Sequence, residues 1–150
     1  MRALADCSAS AVAAAVAADR DEFLLATERL AGRDAEQVGL VLGAVLRSLL
    51  EELHPDGLTG DEVQEVIVRC TTHAAGWFAE VDVNALVLVL GGALGVFPHE
   101  DEPVPVTPLD VARHASLVVA DLLRAGHRSY RPYLDAALTR IAEAEANDLP

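Results

Sequence analysis

Apolar residues recur at three- and four-residue spacing along most of this chain, the period of helices that each bury one face. Val63, Val66, Ile67, Cys70, Ala74, Trp77 and Phe78 make the cleanest stripe, with Asp61, Gln64, Glu65 and Arg69 on its wet side. Thr59 and Glu62 stand at capping-box spacing ahead of it. Upstream, Asp34 caps a helix to Leu53 whose apolar residues, from Val38 to Leu53, cover more than the roughly 100° that a surface helix needs. That width predicts two neighbours or a partner chain. An earlier helix is expected from Ser8 or Ser10 to Leu30 or Ala31, with Val12, Val16, Phe23, Ala26 and Leu30 on one face. Asp19 interrupts that stripe, and residues 1–9 are expected to be loose. Downstream, Thr107 and Pro108 open a helix carrying Val111, Ala115, Val118, Val119 and Leu122 to Gly126. A last helix runs from Tyr130 or Pro132 to Ala146.

One stretch departs from this pattern. From Ala85 to Phe97 no side chain is charged or polar. A bilayer needs roughly 20 apolar residues in a helix, so the segment predicts a buried helix of a non-membrane protein. Asp82 is its expected N-cap. A competing reading makes it two buried strands joined at Gly91-Gly92, a hairpin signal that no other segment offers to pair with. The expectation is therefore an all-α, single-domain bundle over residues 1–150, with about six helices packed around a central helix at 82–97. Residues 98–106 form an acidic, proline-rich loop between helices.

Composition sharpens this picture. Hydrophobic residues make up 52% of the chain and aromatics 4%, so the core must be built from Ala, Val and Leu. The net charge is −13 and all 11 basic residues are arginine, a balance that repels nucleic acid and anionic membrane surfaces. Cys7 and Cys70 are expected to be reduced. The Ala-rich start passes directly into a charged amphipathic pattern, unlike a secretion signal, so a cytoplasmic location is expected.

Candidate chemistry is sparse. Glu51 and His54 have the spacing of a dimetal helix pair, but no second copy exists, and a histidine at a helix end interacts with the helix dipole. Cys70 and His73 lie one turn apart without the further ligands of a zinc site, which reads as a core cysteine beside a boundary histidine. Asp110 and His114 read as a surface ion pair, with Asp121 further along that edge. Arg124, His127, Arg128 and Arg131 form the one basic cluster, suited to an anion or acidic partner, or to the carboxyl end of the preceding helix. No phosphate loop or nucleophile elbow is present, and no cofactor is expected.

The expected function is protein association without catalysis, as a homodimer or with another protein. Val16, Gly39 and Gly43 would lie at the interface, although the two glycines, one turn apart, equally suit tight packing within the chain. The alternative is a small apolar ligand held between the helices at 59–78, 82–97 and 107–126, beside Trp77, Phe97, His73 and His114. Metal binding through His54, His73 or His114 is the third reading.

Overall fold

Asp19 stops the first helix. In the computed structural model, which describes residues 1–95 and 106–148, its carboxylate accepts a hydrogen bond from Glu22 N at 3.3 Å and starts a new helix. The single helix expected up to residue 31 is thus two, α1 (Arg2–Ala17) and α2 (Arg20–Ala31). The Asp-x-x-Glu spacing at 19–22 is the sequence signal for this break. Residues 2–9 also differ from expectation. They belong to α1, with Leu4 and Ala5 buried and Tyr130 donating its hydroxyl hydrogen bond to Ser8 Oγ.

The turn between the two helices sets Ala18 at φ 55°, ψ 38°, the left-handed region. A Cβ there costs about 1–2 kcal/mol, of which glycine returns part as chain entropy. Ala18→Gly is expected to raise stability by about 0.5–1 kcal/mol, read as a higher urea midpoint with an unchanged m-value.

The remaining helices are α3 (Ala35–Leu53), α4 (Gly60–Ala74), α5 (Val83–Leu94), α6 (Pro108–Gly126) and α7 (Tyr130–Asn147). Their starts follow the predicted caps: Asp34, Thr59 with Glu62, Asp82, and Thr107 with Asp110. The fold is an all-α single domain with seven helices and no strand among the described residues, so 83–94 is helix and not hairpin. Gly95, at φ 76°, closes α5 before the expected stop at Pro98. Phe97 and nearly all of the 98–106 loop lie outside the described residues.

The central position belongs to α6 instead of the all-apolar segment. α6 packs against α1, α2, α3, α4 and α5, and every residue from His114 to Leu123 is buried. α5 packs on α3, α4 and α6 through Ala85, Leu86, Leu90 and Ala93, and leaves Val83, Val87 and Leu94 exposed. The buried Ser116 and Asp121 of α6 are both partnered: Ser116 Oγ donates to Ala112 O at 2.7 Å, and Arg69 holds Asp121. Gly126 lets α6 end against α3, since a Cβ there would meet Leu53 Cδ2 at 2.9 Å.

A second, smaller core lies beside the main one. Phe23 packs edge-on to Trp77 and Phe78, with ring centroids 5.0 and 5.2 Å away, over Ala14, Ala15, Leu117 and Ala120.

Candidate functional site

Of the expected ligand residues, the described ones, Trp77, His73 and His114, do not line a common cleft. Trp77 is committed to the small aromatic core and His73 is exposed on the outside of α4. His114 is buried, and its ring is fully used: Nδ1 lies 2.7 Å from the Asp110 carbonyl and Nε2 accepts from Asp82 N at 2.9 Å. These partners assign the proton to Nδ1 and make His114 a clamp between α6 and the start of α5. The Asp110–His114 surface ion pair is therefore not formed. The Asp110 carboxylate instead accepts from the Thr107 backbone in a capping box.

Other candidates resolve into structural roles. His54 Nδ1 is 2.6 Å from Glu62 Oε2 and tethers the end of α3 to the start of α4. Burial, then the Asp121 charge, push the Cys70 thiol up to about 12. In the folded protein Cys70 is expected to resist an aromatic disulfide reagent over hours, with full labelling on unfolding. Rapid native labelling of both Cys7 and Cys70 would contradict this. Among the described residues no three His, Cys, Asp or Glu side chains come together as a metal site.

The basic cluster divides. Arg124 turns inward, where Nη1 lies 3.5 Å from the Ala15 carbonyl, while Arg128 is 3.9 Å from Glu52. Arg128 and Arg131 line a groove of about 400 Å³ with Tyr130 and Val16, which is 44% exposed. Here Val16, one of the residues expected at an interface, shares a surface with two arginines of the basic cluster.

Gly39 and Gly43 open onto a cleft of about 740 Å³ between α3, α5, α6 and α7. Among the described residues nothing lies within 4 Å of a Cβ built at Gly39, Gly43 or Gly92. Against the described residues the α3 glycines therefore make no tight packing contact, one of the roles expected of them, and there they shape the wall of the cleft. Leu40 and Arg47 complete the α3 side, Leu88 and Val89 the α5 side, and Arg140, Ile141 and Ala144 the α7 side. Gly39, Gly43 and Arg47 follow one another at four-residue steps, as do Leu88 and Gly92, and Arg140 and Ala144. Such steps put each set on one face of its helix, and this is the signal that could have found the cleft.

Arg47 and Arg140 are its only charged lining residues among those described. Arg47 Nε donates to the Ala93 carbonyl at 3.2 Å, satisfying an acceptor in the last turn of α5. The pairs Gln37–Glu145 and Glu52–Tyr133 set α3 and α7 antiparallel. In that register Arg140 comes level with Gly43 and Ala44, one turn from Arg47.

No helix among the described residues is long and apolar enough to cross a membrane. Compared with known protein families, with curated proteins and with solved structures, the chain finds no match.

Proposed function

We propose that this chain is a binding module without catalytic activity, whose cleft between α3, α5, α6 and α7 takes a small, largely apolar ligand. The observation that carries this reading is an apolar cleft of about 740 Å³ whose glycine wall meets no other described residue. Ligand sites are commonly clefts of roughly 300–1,000 Å³ with mostly apolar linings and few polar groups. The location differs from the pocket expected beside Trp77 and Phe97, while the class of ligand is the same.

The test fills the cleft from its wall. Gly43→Leu places a side chain into open space and removes a helix-interior glycine, which costs about 1 kcal/mol relative to alanine, so the fold is expected to persist or gain stability. The neutral dye N-phenyl-1-naphthylamine should saturate the wild type near one molecule per chain and bind the variant at least tenfold more weakly. Equal binding by both proteins would refute the cleft as the site.

A second reading, self-association, is favoured by the exposed Leu40 on α3 and the exposed Val83, Val87 and Leu94 on α5. Apolar side chains grouped on adjacent helices are the raw material of an interface. Light scattering at rising concentration decides it. A constant mass of 15.8 kDa at high micromolar concentration removes the homodimer.

A further inference from the structure

We infer that the ligand of this cleft is a long-chain carboxylate, its apolar body lying along the glycine wall and its single negative charge received by Arg47 and Arg140. The inference rests on the cleft reading above and adds the chemistry of the ligand. In a chain with 24 acidic residues, the cleft's only charged side chains among those described are two arginines. Neither forms an ion pair among the described residues. Arg47 is also oriented: its bond to the Ala93 carbonyl uses Nε and leaves the outer nitrogens for a second acceptor.

The rest of the wall restricts the body of the ligand. Gly39, Gly43, Gly92, Leu88, Ile141 and Ala144 bring no side-chain donor or acceptor. A polar body would leave its own groups unpaired there, whereas an alkyl chain loses nothing on leaving water. The head follows from charge. A guanidinium fork matches a carboxylate in shape, and a net charge of −13 opposes a dianionic head more strongly than a monoanionic one.

The experiment is calorimetric titration of the whole chain at pH 7 with decanoate, decan-1-ol and decyltrimethylammonium, each below its micellar concentration. Decanoate should bind one per chain and at least tenfold tighter than the alcohol, the lower end of what a hydrogen bond to a charged group contributes. The ammonium compound should be weakest. Arg47→Gln and Arg140→Gln should each bring decanoate to within about threefold of the alcohol without changing the alcohol's affinity. Arg140 makes no hydrogen bond among the described residues, so its variant tests the head site even if loss of the Ala93 contact disturbs Arg47→Gln. Equal affinity for decanoate and the alcohol, or tighter binding of the ammonium compound, overturns the carboxylate inference and leaves the apolar cleft standing. Failure of all three to bind, together with dye binding unaffected by Gly43→Leu, overturns both.

Discussion

Arg69→Met is expected to cost about 3–5 kcal/mol of folding free energy, the range for removing one partner of a buried ion pair. Asp121 on α6 is 2% exposed, and the Arg69 fork holds it, with Nη2 2.9 Å and Nε 3.2 Å from Oδ2. Removing the guanidinium strands a carboxylate in the most enclosed helix of the fold. The reverse change is milder. Arg69 is partly exposed and can turn its charge to water, so Asp121→Asn should cost about 1–3 kcal/mol. The double change Arg69→Met with Asp121→Leu should recover most of the loss, because two apolar groups desolvate without penalty. Urea unfolding of the four proteins closes the cycle. A loss below about 1 kcal/mol for Arg69→Met would mean that water reaches Asp121 and that the pair is not a buried one.

Phe23→Ala should be comparably damaging, by about 3–5 kcal/mol. Phe23 is fully buried and links α2 to Trp77 and Phe78, which lie between α4 and α5, and to Leu117 and Ala120 of α6. Its loss removes transfer free energy and two edge-to-face ring contacts, and leaves a cavity that the small neighbours Ala14, Ala15 and Ala120 cannot fill. Phe23→Leu, closer in volume, should cost under about 1.5 kcal/mol if the site repacks. Trp77 is the only tryptophan, so its emission reports on this cluster directly. The red shift expected for Phe23→Ala has a useful counterpart. Trp77 is not among the residues lining the large cleft, so a ligand bound there should leave its emission unchanged.

The candidate site was only partly legible beforehand. Gly39 and Gly43 stood out because two glycines one turn apart in an apolar helix call for a reason, and they do line the cleft. Which reason applied depended on whether another helix filled the space, and that is a tertiary fact. Arg47 and Arg140 carry no such signal, because an arginine on a helix is ordinarily a solvated side chain. Only the antiparallel register of α3 and α7 brings them within a turn of each other. His114 misled for the opposite reason. A histidine near an aspartate suggests chemistry, but the relevant acceptor was the Asp110 carbonyl and the relevant donor was the backbone of a residue 32 positions away.

Local chemistry determined the elements. Side-chain caps at Asp34, Thr59, Asp82 and Thr107, and apolar spacing at three and four residues, specified most helices and the all-α class from sequence, because capping and helical periodicity act within a few residues. The Asp19-x-x-Glu22 spacing is a local signal of the same kind for the division of α1 from α2. The order of burial was decided by the tertiary structure alone. Composition pointed to the all-apolar segment as the centre, yet α6 occupies it while α5 lies to one side with valines exposed. A helix carrying His114, Ser116 and Asp121 can sit in the middle of the bundle because the fold supplies a partner for each polar group. Being surrounded depends on where the neighbouring helices lie and whether polar groups are paired, and a residue's hydrophobicity does not contain that information.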